Sequence, residues 1–220
     1  MKPNTQNNRP IVLINFKKVT QHEATILANS IEELPPAVFD KYRILLAVQP
    51  LDAKSLAHVN KCELILQDTF SPKDTINDWL STVRKVEQNV FGILINHPEK
   101  KITQKEIQEL TKVSKTRSMK VLVCASNIQE AVAMNELDPH YIGIENEALI
   151  GKPESFTKYC PEIVLEAKKV ISSNLLIGAG IKNNYDFNKV LEDGGSGVLI
   201  SSIITGANDP KETLLNFLKK

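Results

Sequence analysis

The 220-residue chain carries 27 Lys and Arg against 26 Asp and Glu, a formal net charge of +1, and 42% of its residues are hydrophobic. This balance leaves no strongly basic face for nucleic acid and no acidic tail, and the length supports one substantial core. Cys62, Cys124 and Cys160 are widely spaced without CxxC or Cys/His ligand spacing, which argues against a disulfide framework or a zinc site.

In chain order, "MKPNTQNNRP" is polar and Asn-rich and lacks the apolar stretch of a signal peptide, so residues 1–9 read as a flexible extension. Short apolar runs then recur: "IVLINF" (11–16), "ILLAV" (44–48), "LILQD" (64–68), "GILIN" (92–96), "KVLVC" (120–124), "YIGIE" (141–145), "LLIGAG" (175–180) and "GVLIS" (197–201). Each is too short for an ordinary helix and almost continuously apolar, the pattern of a parallel strand buried on both faces. Cys124, ending one run, reads as a small core residue. No run approaches the roughly 18 apolar residues of a membrane span.

The gaps between runs read as helices. "TQHEATILANSIEEL" sets Ala24, Leu27, Ile31 and Leu34 at helical spacing, and Thr103 with Glu106 predicts a capping box. Ser126 and Asn127 are cap candidates for "SNIQEAVAMNEL". The glycines after "NYDFNKVLED" suit a helix stop, and Pro210 suits a first turn. Eight such units predict an α/β fold, a (β/α)8 barrel forming a single domain over residues 1–220. An open doubly wound sheet would not need eight strands so evenly spaced.

In such a barrel the active site is built at the C-terminal ends of the strands. "INFKK" ends strand 1 and sets Asn15 and Lys17 on one side of an extended chain. Strand 4 ends at Asn96-His97, and strand 6 at Glu145. Each residue alone has an ordinary reading: Lys17 as a solvated charge, His97 as a structural histidine, Glu145 as an ion-pair partner. Their convergence on one rim points instead to a site. Gly178 and Gly180 after strand 7, with Ser201 and Ser202 after strand 8, stand at the usual phosphate position of these barrels, where backbone N–H groups approach an anion.

The motifs "INFK", "INHPEK", "VCASN", "ENEALIG", "GAGI" and "GVLIS", in this order and spacing, resemble the triosephosphate isomerase family, most closely its compact archaeal type. The resemblance runs from about residue 10, densely from residue 92. It implies interconversion of dihydroxyacetone phosphate and D-glyceraldehyde 3-phosphate in the cytoplasm, as a step of glycolysis and gluconeogenesis, with no metal and no organic cofactor. By the same resemblance Glu145 is the base, His97 the electrophile, and Lys17, assisted by Asn15, holds the anionic substrate, with Glu99 as a partner for Lys17. Ile150 and Gly151 lie on a lid, and Gly180, Ser201 and Ser202 complete the phosphate grip. Partners implied are a phosphorylated triose and further copies of the chain, as a homodimer or homotetramer, with neither nucleic acid nor membrane.

The chain also departs from the family. Pro98 follows the histidine where serine is usual and removes an N–H at the expected start of a short helix. The lid, Asn146 to Pro153, lacks the first-hinge proline and has Pro153 where glycine is usual. "QDTFSPKDTINDW" replaces a Gly-rich intersubunit loop, and Ile203 stands where glycine is frequent. These departures keep two alternatives open: a catalytically impaired paralogue that binds a phosphorylated metabolite as sensor or scaffold, and another phosphate-binding barrel isomerase, such as those of histidine or tryptophan biosynthesis.

Overall fold

The computed structural model describes residues 9–67, 76–84 and 90–219. Its strands are β1 (Ile11–Asn15), β2 (Arg43–Val48), β3 (Glu63–Gln67), β4 (Val90–Ile95), β5 (Lys120–Ala125), β6 (Tyr141–Glu145), β7 (Asn174–Gly178) and β8 (Gly197–Ile200). All pair in parallel and close into a barrel in sequence order, β1 lying between β2 and β8. Every expected run falls on a strand. β7 stops at Gly178 because Ala179 and Gly180 turn to φ 56° and 74°.

The helices are α1 (Gln21–Glu32), α2 (Pro36–Lys41), α3 (Pro50–Ala53), α4 (Ile76–Arg84), α5 (Gln104–Thr116) and α6 (Ile128–Asn135). They continue with α7 (Phe156–Tyr159), α8 (Ile163–Val170), α9 (Asn184–Glu192), α10 (Ser202–Thr205) and α11 (Pro210–Leu218). Ala24, Leu27 and Ile31 form the buried stripe of α1. Both halves of the predicted capping box are present: Thr103 Oγ1 accepts from Glu106 N–H, and Glu106 Oε2 accepts from Thr103 N–H at 2.7 Å. Asn127, rather than Ser126, caps α6. Gly194, at φ 92°, follows α9, and Pro210 opens α11. Ile203 lies within α10, so the chain there is a helical turn. Of the replaced loop, residues 68–75 lie outside the described residues. No helix among the described residues is long and apolar enough to cross a membrane.

The period-2 alternation of the strands divides the core into two layers. Ile11, Leu13, Leu45, Ala47, Ile65, Leu94, Leu122, Cys124, Tyr141, Leu176 and Leu199 fill the barrel interior. The alternate residues, such as Val12, Ile14, Val121 and Val123, pack outward beneath the helices. At the N-terminal end the Arg43 guanidinium lies 4.2 Å over the Phe91 ring, donates to Tyr141 Oη at 3.0 Å and pairs with Glu63. The bottom of the barrel is thereby closed, and the interior phase is left to emerge at the opposite rim.

Candidate functional site

The rim residues continue the interior phase of their strands, an even number of positions beyond the interior residues. Asn15 follows Ile11 and Leu13, Gln67 follows Ile65, Glu145 follows Tyr141, Gly178 follows Leu176 and Ser201 follows Leu199. A polar residue in that register stands on an apolar column and faces the axis, which is how a hydrophobic strand delivers a buried carboxylate.

Strand β4 ends differently. Asn96 adopts φ 58°, and its side chain ties the turn at both ends: Nδ2 donates to Cys124 O at 2.9 Å and Glu130 Oε1 at 3.0 Å, while Oδ1 accepts from Ile102 N–H at 3.2 Å. His97 to Lys100 form a tight turn, closed by Lys100 N–H on His97 O at 2.7 Å. Pro98 sits second in this turn, where its fixed φ suits the geometry. There is no helix at this point for Pro98 to interrupt, which corrects that expectation. The N–H that reaches the imidazole belongs to Glu99, whose amide donates to His97 Nδ1 at 3.3 Å. With Nδ1 facing that amide, Nε2 is the ring nitrogen turned to the mouth.

There Nε2 lies 3.3 Å from Glu145 Oε1. The alignment does not make a hydrogen bond, and both atoms are buried without a hydrogen-bond partner among the described residues, as is Asn15 Nδ2. Buried polar atoms are nearly always satisfied, so three orphans around one mouth mark a place for a polar ligand. Glu145 is 5% exposed. Beneath it, burial and then the Glu145 charge push the Cys124 thiol well above its ordinary value, which keeps it a protonated donor.

Lys17 does not lie on an extended chain with Asn15, as the sequence pattern implied. It adopts φ 52°, a left-handed conformation costly for a side-chain-bearing residue. Asn15 Oδ1 accepts the Lys17 N–H at 2.8 Å, and the Lys17 carbonyl accepts from Gln49 Nε2 at 3.2 Å and Gln67 Nε2 at 3.0 Å. Its ammonium meets Glu99 Oε1 at 2.8 Å. This hydrogen bond outweighs partial burial and holds the Glu99 carboxyl below its ordinary value. Glu99 thus touches both Lys17 and His97. Neither glutamine was singled out in the sequence; their inward register was the available signal.

A cavity of about 360 Å³ opens beside these groups, lined among others by Lys17, Glu145, Ile150, Gly151, Gly180, Ser201 and Ser202. That volume is at the small end of ordinary ligand pockets. Larger recesses exist, one of about 610 Å³ at the barrel's closed end where Arg9 Nε is also unpartnered, but three such atoms, from His97, Glu145 and Asn15, gather at this mouth. Ser201 Oγ donates to Asn15 O at 2.7 Å, so its hydroxyl is already engaged by the backbone. Gly180 is needed for space, since a Cβ there would stand 2.8 Å from Phe156 N. Gly178 makes room for the carboxylate. A Cβ there would stand 2.5 Å from Glu145 Cγ, so its bareness makes room for that side chain. In the segment expected to form a lid, Asn146 Oδ1 accepts from Ala148 N–H at 3.0 Å and opens a 3₁₀ turn over Glu147–Leu149, ordering the chain there without proline.

Fold and rim together define a (β/α)8-barrel protein with a polar site at the C-terminal ends of its strands. No family model matches the sequence. The chain is 31% identical over 221 residues to triosephosphate isomerase of Methanobacterium bryantii, covering 96% of each chain. It is 30% identical over 219 residues to that of Methanothermus fervidus, covering 94% of this chain and 96% of the relative. A shorter match to the Methanosarcina mazei protein of the same name, 34% over 138 residues, spans 60% of this chain and 62% of the relative. The chain belongs to the triosephosphate isomerase family. Solved structures similar to it include a mutant tryptophan synthase alpha-subunit from Pyrococcus furiosus, with TM-score 0.71 and 13% identity over 95% of this chain and 97% of that one. Thiamine phosphate pyrophosphorylase from Pyrococcus furiosus is another, with TM-score 0.65 and 13% identity over 97% and 96%. At such identity these two speak for the fold alone.

Proposed function

We propose that the chain interconverts dihydroxyacetone phosphate and D-glyceraldehyde 3-phosphate through an enediolate. Glu145 removes a proton from the carbon beside the carbonyl and returns it to the neighbouring carbon. His97 Nε2–H donates to the carbonyl oxygen as charge develops there, and the Lys17 ammonium offsets that charge and the phosphate's. A carbon acid is weak, so its ionisation needs a base and an oxyanion donor acting together. Family membership supports the substrate class, since the relatives that match along their whole length bear the name of this isomerase. The observation that carries the mechanism is the side-by-side arrangement of Glu145 Oε1 and His97 Nε2, at 3.3 Å and each unpartnered. A substrate whose acidic carbon is bonded to its carbonyl carbon would engage both, the carbon at Glu145 and the carbonyl oxygen at His97. A glutamate base with a histidine electrophile is a general pattern illustrated by this very family.

In this reading Ile150 and Gly151 close over the phosphate, and Gly180, Ser201 and Ser202 surround it. The chain self-associates as a homodimer or homotetramer; Leu51 on α3, 82% exposed, is an apolar residue that a second copy would cover. A monomer by light scattering at micromolar concentration would refute that part.

The test is a coupled enzymatic assay of glyceraldehyde 3-phosphate conversion by the protein and its Glu145→Gln variant. Loss of a positioned base lowers kcat by about 10²–10⁴-fold. A folded, unmodified protein that binds a substrate analogue without turnover would instead favour a metabolite-binding paralogue.

A further inference from the structure

Asp186 is a fully buried carboxylate on the first turn of α9, and the chemistry above does not use it. An acidic side chain three residues after a helix cap commonly returns to the cap's own N–H. Here Asn183 caps the helix, but Asp186 Oδ2 accepts from the Lys182 N–H, one residue earlier, at 2.8 Å. Its other oxygen turns away from α9 and accepts from two hydroxyls of another element: Thr157 Oγ1 at 2.7 Å, and Ser155 Oγ. Ser155 caps α7, the segment into which the lid descends.

Three further contacts join the same two segments. Phe156 N–H donates to Gly180 O at 3.0 Å, Lys182 Nζ donates to Lys152 O at 2.5 Å, and the space a Cβ would need at Gly180 is taken by Phe156 N and Leu149 Cδ1. Gly180 also lines the ligand cavity. By contrast, Gly151, at φ 70°, would have nothing within 4 Å of an added Cβ. One end of the lid is therefore fixed to the β7–α9 loop, while its tip stands free.

We propose that Asp186 is a positioning residue for the lid, binding the Ser155 and Thr157 hydroxyls so that the far end of the lid moves only together with the phosphate-side loop at Gly180. This rests on the isomerase reading for its catalytic consequence. A carboxylate with no ion-pair partner among the described residues suits this role, because each oxygen accepts a separate donor set, one from each segment. Closure of a correctly aimed lid protects an enediolate from a competing elimination. In that side reaction the enediolate's electron pair forms a C=C bond to the phosphate-bearing carbon as the C–O bond breaks, releasing phosphate and the enol of methylglyoxal.

The experiment compares inorganic phosphate released per isomerisation turnover in the protein and in the Asp186→Asn and Thr157→Val variants. The ratio does not depend on the fraction folded, so a merely destabilised protein leaves it unmoved. Asparagine sets an NH₂ donor against either the Lys182 N–H or the hydroxyls, and valine keeps the shape of threonine without its hydroxyl. A rise of about tenfold for Asp186→Asn, with a smaller rise for Thr157→Val, is expected. An unchanged ratio in a variant that turns over overturns the inference while leaving the isomerase reading intact. Hydrogen exchange of the Phe156 amide, measured without substrate, is the second readout. Faster exchange in Thr157→Val is expected, and unchanged exchange overturns the anchor even if the protein lacks isomerase activity or Asp186→Asn fails to fold.

Discussion

Gly178→Ala tests whether the carboxylate's location, and not just its presence, sets the rate. The added Cβ would stand 2.5 Å from Glu145 Cγ and 3.0 Å from both Cδ and Oε2, so the side chain must retreat by about 1 Å to reach ordinary contact. Gly178 is not among the positive-φ residues, so the backbone accepts alanine and the whole strain falls on Glu145. A misplacement of about 1 Å costs about 10²-fold in rate, which is about 2.7 kcal/mol at 1.36 kcal/mol per decade. Overpacking a buried site lowers stability by about 1–3 kcal/mol as well. Steady-state kcat and KM should be measured in the variant and again with Glu145→Gln added. The first should lose kcat, while alanine added to Glu145→Gln should cost stability but little further kcat, because the group it misplaces is no longer a base. A kcat within about threefold of the unmodified protein would refute the argument.

Leu176→Ala empties a fully buried place in the barrel interior and should lower unfolding stability by about 2–5 kcal/mol in urea titrations. Gln67→Met removes donors to the Lys17 and Ala47 carbonyls, and a weakened hold on the left-handed Lys17 should lower kcat/KM about tenfold with a modest change in Tm. For Glu130, burial pushes the carboxyl up, but hydrogen bonds from Lys101, the Ser126 N–H and Asn96 outweigh it and hold the group below its ordinary 4.5. Its folded value is lowered, so its contribution to stability is present above about 4.5 and is lost as pH falls through the folded value. Glu130→Gln should flatten the fall of the urea midpoint below pH 4.5, and an unchanged acid limb would refute this.

The barrel was legible because its strands are buried on both faces and read as continuous apolar runs at even spacing. His97, Glu145 and Lys17 were legible because polar residues interrupt those runs at the rim. What the sequence concealed is conformational or distant. Nothing in "INFKK" signals that Lys17 turns to a positive φ, since that strain is sustained by Gln49 just after β2 and by Gln67 at the end of β3. Gly178 looked like part of an anion loop because a glycine's neighbour across the sheet cannot be read from its own strand. Pro98 looked disruptive only while a helix was assumed to follow. Asp186 meets Ser155 across 31 residues, beyond any local pattern.

The hydrogen bond from Ser201 Oγ to Asn15 O spans 186 residues of chain. It joins the first strand to the end of the last, and β1 finds its second neighbour only when β8 arrives. During synthesis from the N-terminus, Asn15, Lys17, His97 and Glu145 therefore all leave the ribosome before the wall that brings them round one mouth exists. A partly made chain has the reactive groups but no ring to aim them, and the first strand keeps an open edge until the end. Ring closure is thus a late step of high loop-closure cost, favouring slow folding, and until it occurs the exposed edge of β1 is where the growing chain is most vulnerable to wrong pairing.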